Sequence, residues 1–302
     1  MNIEGLRYAR AVSTTKSFSA AARAYGVTQP ALSNGIARLE QELGVTLFER
    51  SPRGVKPTPD GTRILPMIDQ ALDALDAIVA EAQRLANPAP DTIRMGVSPL
   101  IGADLVARAF DAARNLDRPR DLVLREADLT HLRKDLQAGR LDLLLVPAVQ
   151  AMPTFRHRVI AREPVVVIDP AHSRTESPVE LHAAADAAYI LVPDSCGLTT
   201  FTTELFRSHD LPLRTYPGEA SNYRVLDEWA RMGVGAALLP QSKTTHEHGS
   251  SRPLVRAGAP VEITYEAVWD NATPLAADLE DFVTSLTQLT ELTELTYEET
   301  GD

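Results

Sequence analysis

The stretch from Ala21 to Gly44, AARAYGVTQPALSNGIARLEQELG, joins two short helical patterns through a glycine. Apolar residues recur at helical spacing before that glycine, at Phe18, Ala21, Ala22 and Tyr25. Gly26 can adopt the left-handed conformation that ends a helix. Thr28 is a suitable N-cap for the next helix, and Pro30 is allowed in its first turn. The spacing therefore predicts a helix-turn-helix.

The second predicted helix has two different faces. Its core face consists of Leu32, Ile36, Leu39 and Leu43, and its outward face consists of Gln29, Ser33, Asn34, Ala37 and Arg38. Small and amide-bearing side chains at a helix start enter a DNA major groove without steric or charge penalty. Gln and Asn pair with adenine edges, Ser serves either base, and the N–H groups of a helix start bind phosphate. An ordinary two-helix corner has the same local pattern, so the helices alone do not decide between the two interpretations.

The residues that follow favour DNA binding. Two short extended pieces, Leu47–Arg50 and Val55–Thr58, flank the turn-forming sequence Ser51-Pro52-Arg53-Gly54. They predict a two-stranded wing that presents Arg50 and Arg53 to a phosphate backbone or a minor groove.

Charge is distributed unevenly along the chain. Residues 1–65 carry nine Lys or Arg and five Asp or Glu, a net charge of +4. The whole 302-residue chain has a net charge of −11, which leaves −15 for the remainder. This asymmetry indicates a basic N-terminal region suited to phosphates and an acidic region that is not.

The run Ser17–Gly61, SFSAAARAYGVTQPALSNGIARLEQELGVTLFERSPRGVKPTPDG, resembles the LysR-type transcriptional regulators, because helices, turn, LFER and wing are all in register. The rest of the chain follows the family's order as well. The resemblance implies double-stranded DNA as a partner. The predicted DNA-binding residues are Thr28, Gln29, Pro30, Ser33, Asn34, Arg38, Arg50 and Arg53. Family members often carry a basic residue or Gln at the position of Asn34 and a better helix former than Gly35, which costs about 1 kcal/mol. The base preference of those family members is therefore not assigned to this chain.

A long helix is predicted after the wing, with Thr58 as cap and Pro59 as first residue. Its apolar residues alternate steps of four and three, at Ile64, Ile68, Ala71, Leu75, Ile78, Ala82 and Leu85. This heptad seam predicts pairing with a second copy, hence a homodimer through the linker helix, with a dimer of dimers (a homotetramer) as the next level. The alternative is a helix that lies on its own domain. Pro66 should kink or strain the helix, and Asn87–Pro90 should form a hinge.

From Thr92 onward, strand-like runs alternate with helical ones. The strand-like runs are TIRMGVS, LVLREAD, LDLLLVP, EPVVVID, AAYILVP, RTYPGEA, GAALLPQ and ITYEAVW. Helices are expected through Phe110, at Leu132–Ala138, near Glu180, Glu204 and Trp229, and from Pro274 toward Leu289. The pattern predicts two α/β lobes with crossing segments and a cleft between them. The family resemblance implies the same: a fold like periplasmic binding proteins, with a small effector between the lobes.

The expected fold class is therefore α+β multidomain. We expect a winged helix-turn-helix domain at 1–58, a dimerising linker helix at 59–87, a hinge at 88–91 and a two-lobed effector-binding domain at 92–302. Within the last, lobe I should span 92–163 and 266–290, and lobe II should span 164–265. The acidic end from Glu291 to Asp302 reads as a solvated helix or tail.

Ligands of open α/β sheets bind beyond the carboxyl ends of the strands, where helices begin. The predicted effector-binding residues at such junctions are Ser98, Pro99, Leu129, Thr130, Pro147, Ser195, Cys196 and Ser221. Converging helix N-termini favour an anion or a carboxylate. The alternative for the hydroxyl residues Ser98, Thr130, Ser195 and Ser221 is simple helix capping.

Cys196 allows two interpretations. It lies at the predicted start of a helix, which lowers a thiol pKa, and Asp194–Leu198 loosely resembles the peroxide-sensing branch of the family. The cysteine is offset by one position in that alignment, and it is the only cysteine of the chain, so none remains to resolve a sulfenic acid. We therefore favour a small cleft-lining residue over a redox sensor.

Other function classes find little support. No nucleophile–base arrangement is recognisable, so we expect neither an enzyme nor a cofactor. His246-Glu247-His248 has no further ligands in its polar loop, so no metal site is expected. A stand-alone solute-binding protein would have an export signal and no basic N-terminal region. Apolar runs are too short to cross a membrane, and a single cysteine fits a reducing compartment, so we expect a cytoplasmic protein.

Overall fold

The computed structural model describes residues 2–51, 54–86, 91–169, 177–193, 196–244 and 251–299. The chain divides into two compact units, Met1–Pro88 with Gln137–Gly139, and Ala89–Leu136 with Arg140–Asp302. The described part of 1–88 is called the head, and that of 89–302 is called the body. Gln137–Gly139 are included in the body, because the helix Leu129–Gln137 contains Gln137. No helix in the described ranges has an apolar stretch of the length needed to span a bilayer.

The head contains four helices and two strands among its described residues. They are α1 (Ile3–Thr15), α2 (Phe18–Ala24), α3 (Gln29–Leu43), β1 (Phe48–Ser51), β2 (Gly54–Pro57) and α4 (Pro59–Ala86). The predicted helix-turn-helix and wing strands are therefore confirmed. Fully buried side chains from all four helices, Val12, Ala21, Leu32 and Leu72 among them, form one apolar core.

The linker helix α4 runs through Pro66 without a break. Its first half is buried on its own domain, at Leu65, Ile68 and Leu72, and Arg10 on α1 forms an ion pair with Asp73 at 3.2 Å. Of the predicted seam, Ile64, Ile68 and Leu75 pack on the core of the head, whereas Ala71 is exposed. Further along the helix, Ile78 is 65% exposed. The predicted hinge at 88–91 lies outside the described residues except for Asp91.

The body begins with alternating strands and helices in the predicted order. These elements are β3 (Thr92–Val97), α5 (Ala103–Arg114), β4 (Asp121–Glu126), α6 (Leu129–Gln137) and β5 (Leu143–Pro147). The three strands pair in parallel in the order β4-β3-β5. Their carboxyl ends therefore meet at one edge, which is where the predicted junction residues lie.

Two long strands carry the chain between the lobes. In β6 (Arg156–Ile168), residues up to Pro164 pair with β13 (Glu262–Trp269), and Val165–Ile168 pair with β10 (Ala237–Pro240). The strand β13 pairs with both β6 and β5, so it returns the chain to the first lobe. The final helix α10 (Ala276–Glu299) buries Leu279, Phe282, Val283 and Leu286.

The second lobe surrounds the end of β6. Its other elements are β7 (Val179–Glu180), α7 (Leu181–Ala184), β8 (Ala188–Leu191), α8 (Leu198–Arg207), β9 (Arg214–Glu219), α9 (Tyr223–Arg231), a 3-10 turn (Gln241–Lys243), β11 (Ser251–Arg256) and β12 (Ala259–Pro260). The strands β7, β11 and β12 are not in the sequence prediction, because they are short or interrupted by Pro253. The predicted α+β multidomain fold class, with an α/β architecture in the body, is confirmed.

Candidate DNA interface and effector cleft

Capping fixes where the helices of the head begin and end. Ser17 Oγ accepts a hydrogen bond from Ala20 N at 3.3 Å, and Thr28 Oγ1 accepts one from Ala31 N at 3.4 Å. Gly26 has a φ of +65°, the left-handed conformation of a turn residue. The start of α3 is therefore set by Thr28, with Pro30 in its first turn, as predicted.

The outward face of α3 has the predicted composition. Gln29, Pro30 and Asn34 are exposed, and Ser33 is half-buried, whereas Leu32 and Ile36 on the opposite face are buried. Arg38 is 74% exposed at the side chain and pairs with Glu42 at 3.4 Å, one turn further along. Thr28 is also exposed. The polar helix start therefore lies on one accessible surface of the head.

Glycine explains how closely α3 packs on α1. A Cβ at Gly35 would lie 2.7 Å from the Tyr8 ring, and one at Gly5 would lie 3.3 Å from the Leu39 Cβ. The edge of the Tyr8 ring also packs on Tyr25, with ring centroids 5.8 Å apart. Gly35, which by sequence only lowers helix propensity, therefore makes room for an aromatic contact with Tyr8.

Glu40 and Gly61 attach the wing to the helices. Glu40 Oε1 on α3 accepts hydrogen bonds from Leu47 N at 2.6 Å and Phe48 N at 3.2 Å. Thr58 caps α4 through Gly61 N at 2.9 Å, and a Cβ at Gly61 would lie 2.0 Å from the Leu47 carbonyl oxygen. Sequence reasoning missed both contacts because they join residues that are 7 to 14 positions apart.

The strands of the wing pair antiparallel, with Arg50 opposite Val55 and Ser51 opposite Gly54. The side chain of Arg50 and the whole of Arg53 lie outside the described residues. Their predicted contacts with phosphate or the minor groove therefore stay predictions.

In the body, Ser98 connects the two lobes at the sheet edge. Its side chain is completely buried, Oγ donates to the Cys196 carbonyl oxygen at 3.3 Å, and the same Oγ accepts from Leu100 N at 3.2 Å. Ser98 thus stabilises its own turn, which contains Pro99, and also contacts the start of α8.

Gly197 packs closely against the first lobe. It has a φ of +90°, and a Cβ there would lie 2.7 Å from Pro147 Cγ, 3.0 Å from Leu129 Cδ1 and 3.3 Å from Val149 Cγ2. Four predicted residues therefore come together here: Ser98, Leu129, Pro147 and Cys196. Ser195 lies outside the described residues.

Two predicted hydroxyl residues are placed differently, because neighbouring side chains cap their helices. Asp128 Oδ1 accepts from His131 N at 2.9 Å at the start of α6, where Thr130 is exposed. Asn222 Oδ1 accepts from Val225 N at 3.0 Å at the start of α9, where the exposed Ser221 only contacts Asn222. The capping alternative for Thr130 and Ser221 is therefore wrong, and neither joins the Ser98–Cys196 group through a described contact.

The start of α8 lacks a capping side chain. Its N-cap is Gly197, and α5 likewise begins after Gly102 without a side-chain cap. Cys196 is 8% exposed, and Sγ lies 3.7 Å from the Pro193 carbonyl oxygen. Tyr223 lies against this thiol. Burial, together with Cys196, raises the pKa of Tyr223 well above its usual range.

Four ionisable residues near this group were not predicted. Tyr265 Oη lies 3.0 Å from Glu163 Oε2 and 3.3 Å from the Leu100 carbonyl oxygen, and the other Glu163 oxygen accepts from Ser242 N. Burial and Glu163 raise the pKa of Tyr265, so it remains a phenol that donates. Lys243 Nζ donates to the Ile101 carbonyl oxygen at 2.7 Å. The fourth, Glu126, ends β4. No local motif marks these residues, because distant strands bring them together.

The loop His246-Glu247-His248 lies outside the described residues. In the described ranges no group of three or more His, Cys, Asp or Glu side chains has a geometry that would hold a metal ion.

The chain matches known families over most of its length. Residues 3–62 match the bacterial regulatory helix-turn-helix protein, lysR family, and residues 86–291 match the LysR substrate binding domain. The HTH-type transcriptional regulator IlvR of Caulobacter vibrioides is 30% identical over 302 residues, which cover 94% of this chain and 98% of that protein.

A probable hydrogen peroxide-inducible genes activator of Mycobacterium leprae is 28% identical over 252 residues, covering 83% of this chain and 81% of that protein. The H2O2-bound OxyR of Corynebacterium glutamicum shares the fold, with 21% identity and a TM-score of 0.60 over 99% of this chain and 96% of that one. The chain therefore belongs to the LysR family and is a DNA-binding transcriptional regulator with a C-terminal effector-binding domain.

Proposed function

We propose that the start of α3 reads base edges in the major groove and that a small carboxylate between the lobes controls the regulator. The observation that carries the first part is the single accessible face formed by Gln29, Ser33 and Asn34, opposite the buried Leu32 and Ile36. Amides and hydroxyls on such a face discriminate bases, whereas Arg50 and Arg53 on the wing supply contacts with the DNA backbone.

DNA titrations with a specific site and a random duplex test this assignment. Replacing Gln29 or Ser33 by Ala should reduce discrimination by about 1–3 kcal/mol, whereas Arg53→Ala should weaken binding to both DNAs alike and lower the salt dependence. Arg224→Ala on α9 of the body, where the arginine side chain is 80% exposed, is a control for a lost positive charge. A Gln29→Ala variant with an unchanged ratio of specific to random binding would show that Gln29 reads no base. The specific site should be an interrupted palindrome near the regulator's own promoter, as is typical of the family.

The effector proposal is supported by the groups around Ser98. Ser98 joins the two lobes through its hydrogen bond to the Cys196 carbonyl oxygen, the uncapped starts of α5 and α8 present N–H donors, and Lys243 adds a cation beside Ile101. Uncapped helix starts and a lysine favour a negatively charged ligand. We include Pro99, Leu129, Pro147, Ser195 and Cys196 in this site, with Thr130 and Ser221 at its margin.

Thermal shift of the full-length protein with mono- and dicarboxylates of two to six carbons, and with the matching amides, tests the effector class. Carboxylates should raise the midpoint of unfolding and amides should not. Ser98→Ala should weaken the response, whereas Ser208→Ala, which removes an exposed hydroxyl at the far end of α8, should not. Equal shifts with acids and amides would rule out recognition of charge.

The proposed oligomer rests on the linker helix α4. We propose that the exposed apolar end of α4 around Ile78 pairs with a second copy, and that two such dimers associate so that effector binding changes the DNA bend between them. We also propose the domain boundaries 1–58, 59–87, 88–91 and 92–302 for the winged helix-turn-helix domain, the linker helix, the hinge and the effector-binding domain. We further propose that the regulator acts in the cytoplasm, where it meets its DNA, and has no enzymatic activity.

A second candidate is a redox response of Cys196. It is favoured by the position of the thiol just before α8, and by relatives whose names include peroxide-inducible activators. The burial of the thiol and its contacts with Pro193 and Tyr223 favour a cleft-lining role instead. Peroxide treatment followed by DNA titration separates the two.

A further inference from the structure

Glu126 adds a negative charge to the edge of the sheet where Ser98 lies. In the parallel pair of β3 and β4, Glu126 is the register partner of Val97, the residue before Ser98. Paired residues lie on the same face of a sheet, and Val97 packs into the core on the side of α5. The preceding residue, Arg125, points to the other side, where Nη1 lies 2.6 Å from Asp135 Oδ2 on α6.

The carboxylate of Glu126 is accessible and makes no hydrogen bond or ion pair with the described part of the chain. The other nearby carboxylate, Glu163, differs because it already accepts from Tyr265 Oη and Ser242 N. Glu126 is thus the acceptor at this edge that still has its full capacity for a ligand.

Lys243 approaches the same turn from the second lobe. It is half-buried, and its Nζ donates to the carbonyl oxygen of Ile101, three residues after Ser98. An ammonium group has three donors, so two remain available. Burial lowers the pKa of Lys243, while the charges of Glu163 and Glu126 act in the opposite direction. Glu126 and Lys243 therefore approach the turn Ser98–Ile101 from the two lobes.

These charges select among ligands. A simple anion would be attracted by Lys243 but repelled by Glu126. A simple cation would be attracted by Glu126 but repelled by Lys243. A molecule that carries both charges a few bonds apart satisfies Glu126 and Lys243 together, with Ser98 between them.

We propose that the effector is a zwitterion, an amino acid or close derivative, whose ammonium group binds Glu126 and whose carboxylate binds Lys243 beside the turn that begins at Ser98. This inference rests on the proposed carboxylate effector and adds the ammonium requirement. Glu126 and Lys243 are then the specificity-determining residues of the cleft.

Thermal shift and calorimetry of the full-length regulator with the twenty protein amino acids as single probes test the proposal. At least one should raise the unfolding midpoint. The 2-hydroxy acid of the same carbon skeleton should bind about tenfold or more weakly, since a charged hydrogen bond is lost, and the decarboxylated amine should not bind measurably.

The variants separate recognition from folding. Glu126→Gln should weaken the amino acid about tenfold and leave the 2-hydroxy acid equal or stronger, because a repulsive charge is removed. Glu262→Gln, which removes an exposed carboxylate at the start of β13, should change neither. Lys243→Gln should weaken both ligands, and Lys134→Gln on α6 should weaken neither.

Four results would overturn the proposal. If carboxylates without an ammonium bind as well as amino acids, the carboxylate effector survives but the zwitterion does not. If carboxylates without an ammonium group bind and amino acids do not, the same conclusion holds. If neither carboxylates nor amino acids bind, both the carboxylate and the zwitterion proposals fail. If Glu126→Gln lowers the unfolding midpoint without ligand and leaves ligand preference unchanged, Glu126 is only a contact between the lobes.

Discussion

The outer face of α3 and the cleft of the body both present small polar side chains, but the two surfaces are built differently. Gln29, Ser33 and Asn34 lie within six positions on one helix, so the 3.6-residue period alone places them together. The group around Ser98 and Cys196 draws residues from strands and helices that are 98 positions apart. A surface on one helix follows from local rules, whereas a cleft depends on how distant strands are paired.

Each region nevertheless depends on one glycine whose role is a long-range contact. Gly61 lets α4 approach the backbone of Leu47, and Gly197 lets the start of α8 approach Pro147 and Leu129. Substituting these glycines tests whether the head depends on long-range contacts in the same way as the cleft does.

The largest effect is expected for Gly61→Ala. The new methyl group would meet the carbonyl oxygen of Leu47, a backbone atom that also accepts from Thr58 N at 3.0 Å and cannot move freely. We expect the head to lose about 3 kcal/mol of unfolding free energy, despite about 1 kcal/mol gained in helix propensity. Urea unfolding of the full-length protein should show the loss, and binding to specific and random DNA should fall together.

Gly35→Ala is the matched control, because it also adds a methyl group to a helical glycine. Its clash is with the ring of Tyr8, a side chain that can rotate, so the loss should be smaller than for Gly61→Ala. Equal losses in the two variants would show that the contact with backbone is not what makes Gly61 special.

The next effect concerns the exposed end of α4. Ile78→Glu places a charge in the proposed dimer contact, which should raise the dimer dissociation constant about 100-fold, equivalent to about 3 kcal/mol. Gln70→Glu adds the same charge to an exposed position of the same helix and should leave the dimer intact. Sedimentation velocity measures both, and an intact dimer of the Ile78→Glu variant would refute the role of this segment.

A smaller effect is expected in the cleft for Gly197→Ala. The residue has a φ of +90°, so any side chain is strained by about 1–3 kcal/mol, and the methyl group also meets Pro147 and Leu129. Gly258→Ala carries a similar strain at a φ of +80° with no neighbour within 4 Å. Both variants should lose stability, Gly197→Ala more than Gly258→Ala, and only Gly197→Ala should weaken carboxylate binding in a calorimetric titration, by about tenfold.

These glycines show what could be predicted from the sequence. The caps at Thr28 and Thr58, the core face of α3 and the strand order of the body were predicted correctly, because each follows from a period or a residue type over a few positions. The packing of Ile64, Ile68 and Leu75 on the core of the head and the caps Asp128 and Asn222 were not. Glu163, Tyr265 and Lys243 could not be found, because their partners are 79 to 165 positions away.

The smallest effect is expected for Cys196→Ser, which asks whether the cleft only binds a ligand or also senses oxidants. Serine keeps nearly the same volume, and its hydroxyl can donate to the Pro193 carbonyl oxygen as the thiol does at 3.7 Å. Since the residue is 8% exposed and the chain has no second cysteine, the variant should keep its fold and its carboxylate response, with affinity changed less than about fivefold. Cys196→Ala serves as the control, because it keeps the packing but loses the hydrogen bond. DNA titrations with and without carboxylate and with and without peroxide measure both kinds of response. Peroxide-dependent DNA binding in the parent, together with its loss in Cys196→Ser, would assign the cleft a redox role that the burial of the thiol argues against.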